Sequence, residues 1–374
     1  MKRAWAAGAL VVLVAVTGTM TLARAEAVAA PSAGVACSGA KIAFMGPLTG
    51  DAAFIGKEQL GFTRYAIRTH ARGLKLVEGD TQLRPERAAA VAKRLHADRS
   101  VLAVVGPAGS QEVLAVAPVF GEAPAMPFVS GSATRAVLTK GAIRSFFRVV
   151  PHDGLQAPTI AAYLRRTLKA RRVAVVDDRS SYSRPLAGGV EARLRTAGIR
   201  VVRRSVDSAA SDFSGLLAQI PADTDVVFLP WRTAANAQRL GEQLLEQGRR
   251  AVVVGSDALD SRDFRLPGAY VASFAPDVRG IPGNESFVTG YGARFVSNFG
   301  PPLYVATQAV LAALRAACAD GTASRAELLK QLRAVSVPRV VLGGGLRFTA
   351  NGDVKGGKFS IFKLGPGGRK ALVG

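Results

Sequence analysis

Two hydrophobic periods alternate along most of the chain. Short runs of Val, Leu, Ile and Ala at 41–46 (KIAFMG), 74–78, 102–105 (LAVV), 172–177 (RVAVVD), 199–205, 225–229 (DVVFL) and 251–255 (AVVVG) predict strands. Between them, apolar residues recur at helical spacing over 57–70, 85–97, 156–168, 185–197, 213–220 and 233–247. Pro85 stands at the first helical position, where an N–H would lack a partner anyway, and Gly198 and Gly248 close two helices. An extended piece, 146–153 (FFRVVPHD), marks a crossover, after which the same alternation starts again. A strand at 268–273 and a linker rich in Pro and Gly come next. Helices at 287–299, 304–319 and 324–335 follow, then a tail of strands and turns around the Asn351-Gly352 turn pair. The pattern predicts an α/β protein of two Rossmann-like lobes, each around a mostly parallel central sheet. Residues 41–150 plus 275–350 would form one lobe and 151–273 plus 351–374 the other. Three hinge crossings join them, near Pro151, near Ser273 and in the tail.

The densest candidate chemistry lies at 103–134. Two apolar runs there end in small polar elbows, AVVGPAGS and MPFVSGSAT. Ligands of open parallel sheets sit outside the carboxyl ends of the strands. Those ends carry Ser110 at the first elbow and Ser130, Ser132 and Thr134 at the second, with Gly106, Gly109 and Gly131 allowing close backbone approach. With a helix N-terminus beside each elbow, the site would suit a small carboxylate. N-capping and turn formation alone would also account for these residues.

A chain of 374 residues, 49% hydrophobic and 20% charged, suits two globular domains. Residues 1–25 read as a secretory signal peptide. Lys2 and Arg3 precede the apolar run from Ala9 to Val16, and small-residue cleavage sites follow at Ala23-Arg24-Ala25 and Val28-Ala29-Ala30. Thr17, Gly18, Thr19 and Thr21 weaken a retained membrane anchor, and Cys37 lacks the aliphatic residue three positions earlier that lipid attachment prefers. The formal charge is +22, and removal of Lys2, Arg3 and Arg24 leaves +19. The cations are scattered, with no interleaved aromatic motif. We therefore expect no nucleic-acid partner, but a basic surface facing anionic envelope polymers or headgroups. The exported context permits a disulfide between Cys37 and Cys318, two free thiols being the alternative. The chain-entropy account credits so long a loop with about 4–5 kcal/mol.

Catalytic signatures are absent. The sequence has no GxSxG elbow, no Walker-type phosphate loop, no HExxH and no CxxC, so no enzyme activity, metal or cofactor is expected. Asp177 and Asp178 could be paired acids or a solvated strand end.

From about Lys41 to Leu364 the chain resembles the solute-binding proteins of branched-chain amino acid (leucine/isoleucine/valine-type) ABC transporters, which have the type I periplasmic binding fold. The resemblance rests on IAFMGPLTGDAAFIGKEQLGF, VVGPAGS, VSGSAT, FRVVPHDGLQA, RVAVVDDRSSYS, SDFSGLL, GSDA and FTANGD, in that order. It implies an exported, monomeric receptor that closes on a small amino acid, branched-chain or otherwise apolar, and delivers it to a membrane permease. It places the ligand carboxylate on Ser110 and Thr134, with backbone groups from Ser132 and Ala133, and the ammonium on Asp257. Tyr182, Trp231, Ile55 and Phe54 would line the cleft. Arg232 departs from the pattern, as do Ser183 after Tyr182 and Ile55 at a position often aromatic. An Arg in the cleft leaves open a second reading, a sensor of an amide, urea-like or aromatic acid solute.

Overall fold

The computed structural model describes residues 1, 37–292 and 297–374, so the signal-peptide segment lies outside the described residues. The first sheet contains β1 (Lys41–Gly46), β2 (Lys75–Asp80), β3 (Val101–Val105), β4 (Phe128–Ser130) and β5 (Phe146–Arg148). The intervening helices are α1 (Ala53–His70), α2 (Pro85–Ala97) and α3 (Ser110–Gly121). All five strands are parallel, in the order β2-β1-β3-β4-β5.

The chain then enters α4 (Asp153–Arg166), β6 (Arg172–Asp177), α5 (Ser183–Thr196), β7 (Arg200–Ser205) and α6 (Ser214–Ala218). It continues through β8 (Val226–Leu229), α7 (Ala234–Glu246), β9 (Val252–Gly255) and β10 (Tyr270–Ser273). It returns to the first sheet with α8 (Glu285–Tyr291), α9 (Gly300–Ala317) and α10 (Arg325–Ala334), the last two of which pack on β3. The hairpin β11 (Ser336–Val340) and β12 (Gly344–Arg347) follows. The chain ends on β13 (Ser360–Leu364) and β14 (Lys370–Leu372), antiparallel additions to the second sheet, whose order is β14-β13-β10-β9-β8-β6-β7.

Alternation explains the two layers on each sheet. Ile42, Ala103, Val105 and Phe147 face the α9 side, with Leu303 and Val310. Ala43, Met45, Val104 and Phe128 face α2 and α3. In the second sheet Val173 and Val175 face one layer, and Ala174 and Val176 the other. Strands buried on both faces need no polar side, which is why they read as continuous apolar runs. No helix among the described residues is long and apolar enough to cross a membrane.

Several expected elements differ; α4 begins at Asp153 rather than at 156, and α9 at Gly300 rather than at 304. Helix α1 begins at Ala53 rather than at 57, so the first elbow is shorter. The helix expected over 287–299 stops at Tyr291, because Gly292 takes φ +70° and closes it in the left-handed conformation. Cys37 and Cys318 form the expected disulfide, with Cα atoms 5.4 Å apart and Cys318 fully buried against the α9 core.

The crossing in the tail is clamped to the first sheet by Arg148, a fully buried cation at the end of β5. Its Nε donates to Asp353 Oδ1 at 2.6 Å. Nη1 donates to the carbonyls of Ala133 and Arg135, at 3.1 and 2.8 Å, and Nη2 to the Thr139 hydroxyl at 2.5 Å. The Arg148 N–H also donates to the Gly352 carbonyl at 2.9 Å, so the Asn-Gly turn presents both a backbone and a side-chain acceptor. Removing the carboxylate would leave a buried charge without its counter-ion. We expect Asp353→Ala to lose about 3 kcal/mol in urea unfolding. A loss below about 1 kcal/mol would mean that the carbonyl partners alone hold the guanidinium.

Candidate functional site

Both sheets run through the same order in their parallel parts, β2-β1-β3-β4-β5 and β7-β6-β8-β9-β10. Each reverses its winding beside its first strand, and ligands favour the crevice at such a switch point. The elbows after β1, β3 and β4 meet those after β6, β8 and β9 there, across a narrow cleft with a cavity volume of about 60 Å³. Ile55, Leu83, Ser110, Ser132, Thr134 and Phe299 line one wall, and Tyr182, Arg232, Asp257 and Ala258 the other.

The elbow after β3 owes its path to Gly106. Its φ is +111°, and a Cβ there would lie 2.1 Å from the Met45 carbonyl oxygen. The glycine N–H groups expected to meet a guest are taken, Gly106 by the Val129 carbonyl at 2.8 Å and Gly109 by Glu112 Oε2 at 2.6 Å. Helix α3 starts at Ser110, whose Oγ accepts from the Arg135 N–H at 3.2 Å. The Glu112 N–H donates to the Gly109 carbonyl at 3.0 Å, while the N–H groups of Ser110 and Gln111, the first two of the helix, have no intrahelical partners and begin at the cleft.

In the elbow after β4, Ser130 Oγ donates to the Pro107 carbonyl at 2.7 Å and accepts from the N–H groups of Ser132 and Ala133 at 3.3 and 3.0 Å. Ser132 Oγ accepts from Gln59 at 2.9 Å and donates to the Ala108 carbonyl at 2.8 Å. These bonds tie the two elbows together, and they take up the backbone donors expected from Ser132 and Ala133. Ala133 is buried in the α2/α3 core and does not line the cleft.

Two further expectations are corrected. Trp231 was expected to line the cleft, but it is a core residue. Its Nε1 donates to the Val176 carbonyl at 2.8 Å and its ring lies 5.3 Å from that of Phe213. Phe54 packs against the α9 core and does not line the cleft, whereas Ile55, a buried member of the same core, does. Both fall in the first turn of α1, where successive residues point about 100° apart. The Asp177–Asp178 pair is buried and serves local structure. Asp177 pairs with Arg203 and Ser205, and Asp178 accepts from the N–H groups of Ser180 and Arg232, each at 3.0 Å.

The second wall is acidic. Asp257 sits 3% exposed at the end of β9, where its Oδ1 accepts from the Tyr182 hydroxyl at 2.6 Å and from Gln156 Nε2. Burial pushes its carboxyl up to about 6, with the Tyr182 and Gln156 hydrogen bonds opposing the rise. Close by, in the first turn of α4, lies Asp153, whose N–H donates to the Thr134 carbonyl at 2.8 Å. Burial, with the negative Asp257 adding to it, pushes Asp153 up to about 7. The Thr134 hydroxyl and Arg148 act against the rise, but neither carboxylate oxygen has a hydrogen bond of good geometry among the described residues.

Sequence reasoning missed Asp153, which read as the end of the extended crossover, Gln156, which read only as a helix start, and Leu83 and Phe299. Leu83 enters the cleft from an unusual turn. Gln82 and Leu83 both have left-handed backbones, φ +53° and +57°, steadied by the Gln82 N–H donating to Asp80 Oδ1 at 3.1 Å. Two non-glycine residues in that conformation cost about 1–2 kcal/mol each, and nothing in their types announces the turn.

Two parallel-sheet halves with a polar cleft between their switch points define a solute-binding protein of the two-lobed type. The chain belongs to the periplasmic binding protein family, whose profile matches residues 39–369. It is 28% identical to an amino acid binding protein of Pseudomonas aeruginosa over 339 residues, 86% of this chain and 89% of the relative. It is 25% identical to the leucine-specific-binding protein of Salmonella typhimurium, over 89% of this chain and 93% of the relative. Its fold matches that of a leucine-binding protein from Thermotoga maritima with a TM-score of 0.81, at 21% identity, over 90% of this chain and 98% of the other. The resemblance noted in the sequence is thus borne out at the level of family and fold.

The acidic wall has a measurable cost in the ligand-free protein. A carboxyl raised from 3.8 to about 7 is neutral in both folded and unfolded chains at low pH, and stability falls as pH rises and only the unfolded chain ionises. Asp153→Asn should therefore raise the unfolding temperature at pH 8, by an amount equivalent to about 1–3 kcal/mol. The gain should shrink to nothing near pH 4. A gain independent of pH across this range would refute the assignment.

Proposed function

We propose that this protein is an extracytoplasmic receptor for an α-amino acid, serving an ABC importer and performing no chemistry on its ligand. The observation that carries this reading is the polarity of the cleft. A buried carboxylate with a phenol hydroxyl beside it, Asp257 and Tyr182, faces a wall holding Ser110, Thr134 and the start of a helix. The ammonium of a zwitterion would meet Asp257, and its carboxylate would meet the Ser110 and Thr134 hydroxyls and the first-turn N–H groups of α3. A buried ammonium needs such a counter-charge. The names of the two relatives, amino acid binding and leucine-specific-binding, support the same reading.

The mechanism is hinge closure. The walls belong to different sheets, joined only through the segments after β5, after β10 and between β12 and β13, so residues 41–150 with 275–350 can turn against 151–273 with 351–374. The solute binds one wall, the second swings over it, and the permease meets the closed monomer.

Thermal unfolding of the protein without its first 25 residues, against the common L-amino acids, tests this. A ligand at about 100 times its dissociation constant should stabilise by about 2.7 kcal/mol. Asp257→Ala should weaken binding by about 2–5 kcal/mol, by removing the partner of a buried charge. A response only to amides, urea-like solutes or aromatic acids, indifferent to that substitution, would replace the amino-acid receptor with a sensor of such solutes.

A further inference from the structure

The cleft contains one charged group that the α-amino and α-carboxyl ends of a ligand do not use. Arg232 follows β8 and lines the second wall, with its side chain one-third exposed. Its guanidinium makes no hydrogen bond among the described residues. The nearest acid is Asp178, 3.9 Å from Nε, and that carboxylate is already engaged by the N–H groups of Ser180 and of Arg232 itself. On the opposite wall the acid whose charge Arg232 reaches is Glu112, which is fully buried and turned onto the Gly109 N–H. The lining also holds the apolar Ile55, Leu83, Ala258 and Phe299, together with Gln111, whose amide donates to the Leu83 carbonyl at 3.3 Å.

We infer that the ligand's side chain ends in a carboxylate, which Arg232 recognises across an apolar stem pocket. This rests on the α-amino-acid reading above. Closure around an aliphatic side chain would dehydrate the guanidinium and leave it only the Asp178 carboxylate at 3.9 Å, beyond hydrogen-bond distance, which is unfavourable for a buried cation. A carboxylate at that point accepts two parallel N–H bonds from the planar fork. The methylenes before it would lie against Leu83, Ile55 and Phe299. Glu112 does not supply the missing charge. Burial pushes it up to about 7, while the positive Arg232 pulls the other way, so it is a poor competitor for the guanidinium near neutral pH.

The test is titration calorimetry with L-glutamate, L-aspartate and L-leucine on wild type, Arg232→Leu, Arg232→Lys and Asp257→Ala, each checked by thermal unfolding. Wild type should bind an acidic amino acid at least about 10-fold more tightly than leucine. Arg232→Leu should lose about 100-fold for the acidic ligand and gain affinity for leucine, and Arg232→Lys should fall between. Tighter binding of leucine than of either acid by wild type would overturn the inference and leave the amino-acid receptor standing. Equal loss of leucine and acidic ligands in Arg232→Leu would also overturn it, by placing the α-carboxylate on Arg232. If no amino acid binds and Asp257→Ala changes nothing, the inference falls together with the reading beneath it.

Discussion

A single buried cation connects the parts of this molecule that must cooperate. Arg148 ends β5, the last strand before the chain leaves the first sheet, and it reaches the Asp353 turn in the segment by which the chain finally leaves that sheet. Its other contacts are the carbonyls of Ala133 and Arg135 and the hydroxyl of Thr139, which bracket the elbow carrying Thr134. A guanidinium has five donors and no alternative protonation state in reach, so it holds this geometry only if acceptors surround it. One side chain therefore sets the position of the cleft's hydroxyl wall and fixes two of the three connecting segments to each other.

The cleft itself is built of unlike walls. The first is crosslinked by neutral hydrogen bonds, with Ser130 and Ser132 spent on tying elbows together. The second holds acids under strain. Asp257 is hydrogen-bonded yet raised by burial, and Asp153 is buried with no hydrogen bond of good geometry to its carboxylate among the described residues. On the proposed reading, an ammonium entering between these walls would supply the counter-charge that the buried acids lack, and their cost would become part of the ligand's differential affinity for the closed form.

Much of this was legible in the chain. Strands such as 101–105 and 172–177 declare themselves because both faces are covered, and Pro85 marks its helix start to the residue. Ser110, Ser132, Thr134, Tyr182, Arg232 and Asp257 all come together in the cleft. The failures have a common origin in side-chain direction. Trp231 follows a strand end and would read as lining, but its indole N–H finds the Val176 carbonyl inside the core. Phe54 and Ile55 are neighbours in the first turn of a helix and share one core, yet only Ile55 reaches the cleft. Asp153 reads as the end of an extended crossover, and only packing reveals that it opens α4 and shares a buried space with Asp257.

The disulfide has a topological consequence. Cys37 and Cys318 both pack in the α9-side core of the first sheet, and the bridge spans 281 positions. The closed covalent ring therefore contains the first sheet and every strand of the second from β6 to β10. The second sheet is a bight in that ring, not a separate bead on a string. A single cut anywhere from α4 to β10 would open the ring and leave the two pieces joined through sulfur. The cleft would then be damaged on one side while both walls stayed on one molecule, as long as the surroundings remain oxidising.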